Sequence, residues 1–231
     1  TRAVSRRGFA AASAGALAPG VSSLAAADVA GLRLAWAFGL PHTVTARSQP
    51  AITGDTLFLA AEDGSLFALD RHSGCVKWHR RFPAGLRTAR TRGDAGDTPA
   101  LFVADLDQQV HAVAAATGEP LWSADAALAE HSLLTGGIVQ HQDDLYVPVS
   151  LYEVALAADP DYECCRSHGG VVKLDARTGE RRWEAHLTAE AEPRGHTSAG
   201  TRRWGPSGVP VWSTPTVDPE RGVLYVGTGQ N

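Results

Sequence analysis

The sequence predicts an all-β fold, a partial β-propeller of about three to four four-stranded blades. Two observations carry this reading. First, one motif recurs: Leu66-Phe-Ala-Leu-Asp70-Arg-His-Ser-Gly74-Cys-Val-Lys-Trp78, then Val110-His-Ala-Val-Ala-Ala-Ala-Thr-Gly118-Glu-Pro-Leu-Trp122, then Val171-Val-Lys-Leu-Asp175-Ala-Arg-Thr-Gly179-Glu-Arg-Arg-Trp183. With Trp36 as the tail of an earlier copy, the tryptophans step by 42, 44 and 61 residues. Second, each copy holds short apolar or alternating runs of strand length, while helical periodicity is weak throughout. Four short strands per repeat of about 40–45 residues is the propeller pattern.

The elements follow in chain order. Residues 1–29 are expected to be a leader or upstream linker. Ser5-Arg-Arg-Gly-Phe, followed by an Ala-rich apolar stretch, resembles a twin-arginine export signal. An uninformative leader, or the remains of an upstream strand, fits the same residues. Leu24 to Leu34 is the one moderate helical candidate, and the segment around Trp36 is expected to be the last strand of a preceding blade. From residue 30 to 231 the propeller repeats run on. Thr56-Leu-Phe-Leu-Ala and Ser65-Leu-Phe-Ala-Leu read as paired strands, with Asp63-Gly64 as a two-residue hairpin turn. The Asp-x-x-Ser/Thr-Gly element makes the next turn, with glycine at positive φ. The second copy has Ala114 in place of the aspartate, so its turn rests on Thr117 and Gly118. The tryptophan lies in the following strand, where its ring fills the gap against a neighbouring sheet. The long third step contains an extra segment from about Leu151 to Arg166. Ser213 to Gly229 opens a further blade.

The chain has 231 residues and a formal net charge of −4 with mixed signs, which points to neither a nucleic-acid nor a membrane-surface partner. No segment has the length of a membrane span. The chain begins at Thr1, contains no methionine and stops at Asn231, so it is expected to be a piece of a longer protein.

Of the three cysteines, Cys75 sits between a turn glycine and a strand and is expected to be a small buried thiol. Cys164 and Cys165 are adjacent. A disulfide between neighbours closes a small strained ring that adds little to fold stability and is easier to reduce than a structural bridge. Either that ring, serving as a flat surface or a redox group, or two unbridged thiols in a loop would fit.

The run Trp204-Gly-Pro-Ser-Gly-Val-Pro-Val-Trp212-Ser-Thr-Pro-Thr-Val-Asp218, followed by Arg221-Gly-Val-Leu-Tyr-Val-Gly-Thr-Gly229, resembles the pyrroloquinoline-quinone (PQQ) dependent alcohol dehydrogenases, and within them the polyvinyl-alcohol dehydrogenase branch. Ala46-Arg-Ser-Gln-Pro50, Tyr146-Val-Pro-Val-Ser150 with Glu153, and Cys164-Cys165 ahead of Gly169-Gly-Val-Val-Lys-Leu-Asp175 are similar to that branch too. The resemblance covers about residues 30–231. It implies an eight-bladed propeller with PQQ and a calcium ion near its axis. The reaction it implies is oxidation of an alcohol, secondary alcohols or polyvinyl alcohol among the candidates, by hydride transfer to the quinone, with cytochrome c as electron acceptor in the periplasm.

The resemblance also implies roles for single residues. Trp212 aligns with the tryptophan on whose ring the cofactor lies. Glu153 matches a calcium-binding glutamate, with Thr135 and Ser150 as hydroxyl contacts to the cofactor. The second side-chain ligand of the family is an asparagine after Gly-x-Gly. Here that position is Gln230, with Asn231 next, so either one is the candidate. Cys164 and Cys165 match the branch's cysteine pair near the cofactor. Arg87 and Arg92 are candidates to hold cofactor carboxylates, as a guanidinium pairs with them in bidentate fashion. The family's catalytic aspartate would lie beyond residue 231. Two rival readings remain: a non-catalytic propeller scaffold of the outer-membrane assembly kind, and a truncated, inactive fragment.

Overall fold

The computed structural model describes residues 26–45, 47–88 and 91–229. The chain divides into two compact units, Thr1–Ala35 and Trp36–Asn231. In the first, the described residues contain one 3-10 helix, Ala26–Gly31, a shorter element than the helix expected from Leu24 to Leu34. The twin-arginine stretch lies outside the described residues.

The second unit is built of antiparallel sheets. β1 (Ala51–Ile52), β2 (Thr56–Ala60), β3 (Ser65–Asp70) and β4 (Val76–Arg81) form a four-stranded sheet in chain order. β5 (Thr91–Ala95), β6 (Thr98–Ala104), β7 (Gln109–Ala114) and β8 (Pro120–Asp125) form the second. In the third, β10 (Val139–His141), β11 (Asp144–Leu151), β12 (Gly170–Asp175) and β13 (Arg181–His186) repeat the order, and β9 (Ser132–Leu133) pairs with the far end of β11. A hairpin of β14 (Glu192–His196) and β15 (Arg202–Gly205) follows, then β16 (Thr216–Asp218) paired with β17 (Val223–Tyr225). The expected blades are therefore present as sheets.

Burial shows how the sheets stack. The third strands β3 and β7 are buried along almost their whole length, whereas the fourth strands β4 and β8 alternate between exposed and half-buried. An inner strand covered on both faces reads as a continuous apolar run. Along β6 the two faces divide by the period of two: Ala100, Phe102 and Ala104 pack with Leu145, Val147, Val172 and Leu174 of the third sheet, and Leu101 and Val103 with Phe58 and Leu66 of the first.

Each fourth strand carries one extra residue beside its tryptophan. Ala68 pairs with Trp78 and Leu69 with Val76, leaving Lys77 unmatched. The same shift leaves Leu121 and Arg182 unmatched in the next two sheets. Such a bulge increases the local twist.

The tryptophan–glycine relation crosses from one repeat to the next. The Trp36, Trp78 and Trp122 rings lie over the turn glycines Gly74, Gly118 and Gly179 of the following copy, where an added Cβ would come within 2.7, 2.7 and 2.6 Å of the ring. Those glycines have φ of +72°, +74° and +77°. The indole N–H groups donate to the backbone carbonyls of Arg71, Ala115 and Ala176 at 2.9, 3.1 and 3.0 Å. Around Gly74 and Gly179 the turn is fastened by Asp70 and Asp175, whose carboxylates accept two backbone N–H groups each. The Gly118 turn has no aspartate, and its Thr117 hydroxyl accepts from Glu119 N at 3.3 Å, as Ser73 and Thr178 accept from Cys75 N and Glu180 N in the other two.

Three expectations need correction. The segment around Trp36 is not a strand: no described strand pairs with it, and it is held by its indole. Asp63-Gly64 turns the chain in a three-residue loop, 62–64, closed by Ala61 N donating to Ser65 O, with Gly64 at φ +88°. Cys75 is exposed, because its position opens the solvent-facing fourth strand.

Candidate functional site

Two long strands end side by side and supply the site's floor. β11 runs through Ser150 to Leu151 and passes directly into a one-turn helix, α1 (Glu153–Leu156). β12 begins at Gly170, and the chain between α1 and β12 holds Tyr162, the two bonded cysteines 164 and 165, and Ser167. The segment 207–212 lies across these strand ends. Val211 N donates to Val149 O at 3.1 Å, Gly169 N to Gly208 O at 2.8 Å, and Gly208 N to Ser167 O at 2.9 Å. This close approach requires glycine at 169, where a Cβ would sit 2.4 Å from Val209 O. Gly208 has φ +88°, which lets the segment turn from the β15 hairpin toward Trp212.

Between these pieces lies a cavity of about 230 Å³, lined by Ser150, Leu151, Glu153, Val154, Ala157, Cys165, Ser167, Ser207, Gly208, Pro210 and Trp212. The Trp212 side chain is 57% exposed, so much of its indole surface is open to whatever fills the cavity. The walls are mainly apolar, with three serine hydroxyls and one carboxylate among them. That is the usual make-up of a small-molecule pocket. Gly229 lies against the indole, where a Cβ would be 3.5 Å from Cζ2.

Glu153 is the one charged group in this lining and is 2% exposed. Its Oε1 accepts from the Tyr162 hydroxyl at 3.0 Å and from Arg166 N at 2.8 Å; its Oε2 accepts from Arg166 N at 3.0 Å and Ser167 N at 2.6 Å. Burial pushes the carboxyl pKa up, but the backbone N–H groups of Arg166 and Ser167 and the Tyr162 hydroxyl outweigh it, so the group lies below the ordinary glutamate value and stays ionised. The same burial and hydrogen bond push the Tyr162 phenol up to about 12, so it remains a donor.

A second, polar cavity of about 450 Å³ shares Glu153 and Ser167 with the first and has Glu130, His131, Tyr162, Glu163 and Arg166 in its lining. Arg166 stacks over the Trp204 ring at 3.9 Å, and Trp204 N donates to Cys164 O at 2.8 Å. Behind the cysteine segment, His168 is buried and its Nε2 contacts His186 Nδ1 at 2.6 Å.

Of the residues singled out from the sequence, Trp212, Glu153, Ser150 and Cys165 line one cavity. Cys164 adjoins it through the bonded pair. Thr135 does not line it, though its neighbour Gly136 packs against the Trp212–Ser213 backbone. Arg87 stands 3.9 Å from Glu62 and outside this lining, and Arg92 is an exposed residue of β5. Gln230 and Asn231 lie outside the described residues. Ser167, Ser207 and Pro210 were not anticipated. The Gly-x-Pro spacing at Gly208 and Pro210, which forces a tight crossing, was the signal for the last two.

Trp212, Cys165 and Pro210 give a planar tricyclic quinone apolar surfaces to lie against, and Ser150, Ser167 and Ser207 give it hydroxyls. The lining contains no lysine or arginine to pair with its carboxylates. The described residues thus fit the ring system. For a resident cation they offer the Glu153 carboxylate, whose oxygens accept from Tyr162, Arg166 and Ser167, while the other ligand candidates, Gln230 and Asn231, are among the residues not described.

Residues 20–231 match the β-propeller domain family described as PQQ glucose/ethanol/alcohol dehydrogenase. The chain is 37% identical over 216 residues to a polyvinylalcohol dehydrogenase of Sphingopyxis sp. (strain 113P3), covering 90% of this chain and 32% of that protein. It is 34% identical over 213 residues to a polyvinylalcohol dehydrogenase of Pseudomonas sp., covering 90% and 33%. The quinohemoprotein alcohol dehydrogenase of Comamonas testosteroni superposes with a TM-score of 0.65 at 19% identity, over 88% of this chain and 32% of that one, a likeness of fold. The chain spans about a third of the length of the curated relatives it matches.

Proposed function

The chain belongs to the PQQ-dependent alcohol dehydrogenase β-propeller family, and we propose that it supplies one wall of the cofactor site of an enzyme that oxidises alcohols, polyvinyl alcohol or related secondary alcohols among them. The observation that carries this reading is the meeting of the open Trp212 indole, Cys165, Ser150 and Glu153 in one cavity. When bound, PQQ would supply a quinone that accepts a hydride from the alcohol carbon.

The chain's own residues would bind and orient. The indole offers a broad apolar face, and the Cys165 segment bounds the same space, so the ring would be held by surface contact rather than by charge. The hydroxyls of Ser150, Ser167 and Ser207 can fix its rotation by hydrogen bonds to ring oxygens. Leu151, Val154, Ala157 and Pro210 keep water from the cavity's apolar side. Glu153 is poorly suited to take the alcohol proton: it is ionised, but its acceptor positions are filled and its affinity for a proton is reduced. Electron transfer to a cytochrome c and a periplasmic location belong to the same proposal. The bonded cysteines 164 and 165 are compatible with an oxidising compartment.

The test is reconstitution of the intact protein with PQQ, followed by dye-linked oxidation of secondary alcohols and polyvinyl alcohol. PQQ-dependent dye reduction is expected. Failure of every alcohol to reduce the dye, with PQQ bound, would overturn the assignment.

A further inference from the structure

The Glu153 carboxylate is buried, charged and fully engaged, and all its partners come from one short stretch. Tyr162 precedes the cysteine pair and Arg166 and Ser167 follow it, so the donors bracket Cys164 and Cys165 on both sides. Removing a carboxylate from water is costly unless hydrogen bonds replace the lost hydration, and here two backbone N–H groups and a phenol do so. From the crossing segment 207–212 that stretch is also held by the Gly208 N bond to Ser167 O, and from β15 by the Trp204 N bond to Cys164 O. Glu153 is the anchor on the third side, at the start of α1.

We propose that Glu153 is a positioning residue that clasps segment 162–167, holding Cys165 in the wall of the Trp212 cavity and closing the partition between that cavity and the polar one adjoining it. Glu153 and Ser167 line both cavities, as a partition must. The clasp differs from a metal-ligand role for the same side chain, because an ion at this carboxylate would have to displace the Arg166 and Ser167 amides. It rests on the proposed function only for what the wall is for.

The experiment is amide hydrogen exchange on the intact protein without PQQ, first with a chelator and then with added calcium. The Arg166 and Ser167 amides are expected to be protected in the chelated protein. Glu153→Ala is expected to accelerate their exchange by roughly tenfold or more, the counterpart of losing a charge-assisted hydrogen bond. The β12 amides of Val172 and Leu174 are expected to keep their protection. Glu153→Gln, which retains an acceptor oxygen, should restore part of the protection, and it replaces the alanine variant if that loses β12 protection as well. Calcium should leave the wild-type pattern in place. Equal exchange at Arg166 and Ser167 in wild type and both variants would overturn the clasp. So would calcium stripping their protection, which would make the carboxylate an ion ligand first. Because no cofactor is present, failure of PQQ to bind leaves this test intact.

Discussion

Gly179→Ala is expected to be among the most damaging single-methyl additions in the propeller unit, and the structure says by how much. Gly179 has φ +77°, and a left-handed conformation costs an L-residue about 1–2 kcal/mol. The added Cβ would also stand 2.6 Å from Cε3 and 2.9 Å from Cδ2 of Trp122, a clash with a rigid ring rather than with the end of a flexible chain. Overpacking of this kind costs about 1–3 kcal/mol. The sum is a loss of roughly 2–5 kcal/mol. Gly222→Ala is the control, with φ +64° and nothing within 4 Å of its Cβ, so that only the conformational cost of about 1–2 kcal/mol remains. Urea unfolding of the intact protein, followed by tryptophan fluorescence, reads the difference as a lower midpoint for Gly179→Ala than for Gly222→Ala. Combining Gly179→Ala with Trp122→Phe should recover part of the loss, as residues in contact couple by about 0.5–3 kcal/mol. Equal midpoints for the two alanine variants, or strict additivity with Trp122→Phe, would refute the idea that each tryptophan docks on the next repeat's glycine.

Two further expectations concern pH and thiol chemistry. Burial first, then the neighbouring His186, hold the His168 pKa below the ordinary histidine value, so the unfolded chain takes up its proton before the folded one does. Its contribution to stability is complete above the unfolded value of 6.5 and is lost as pH falls through the lower folded value; His168→Gln should flatten that fall in a stability-versus-pH series. Cys75 is the exposed free cysteine among the described residues, so within residues 1–231 a thiol reagent should modify one cysteine in the native protein and three after denaturation and reduction, as read by peptide mapping.

What was legible in the sequence was mostly local. The Asp70–Ser73–Gly74 turn could be read because its hydrogen bonds close within a few residues. The strands were legible from runs such as Leu66–Leu69, which are apolar because a sheet covers each face. The tryptophan–glycine contact was not legible, since the partner of Trp78 is the glycine of the next copy and a repeat read alone places both in one turn. The β14–β15 hairpin left no trace, because Glu192–His196 is exposed at every position and shows no apolar alternation. At the site, Trp212, Glu153, Ser150 and Cys165 stood out through the family resemblance, and the fold brings them together. Arg87 and Arg92 stood out for the bidentate pairing a guanidinium offers a carboxylate, and that chemistry does not say which way a side chain faces. The Glu153 contacts show the remaining limit: nothing in a run of residues reveals that the lone pairs of a carboxylate are already spoken for by amides 13 and 14 positions away.

The most direct measurement is PQQ binding to the intact protein and to Trp212→Ala, followed by quenching of tryptophan fluorescence or by calorimetry. A tryptophan offers about 150–250 Å² in all, and just over half of this one is open, so roughly 100 Å² at about 25 cal/mol per Å² gives about 2.5 kcal/mol, near a 70-fold weakening. Wild-type binding with a loss of that order in Trp212→Ala is the expected result. Unchanged affinity in Trp212→Ala, or no binding by the wild-type protein, would contradict the claim that this cavity receives the quinone.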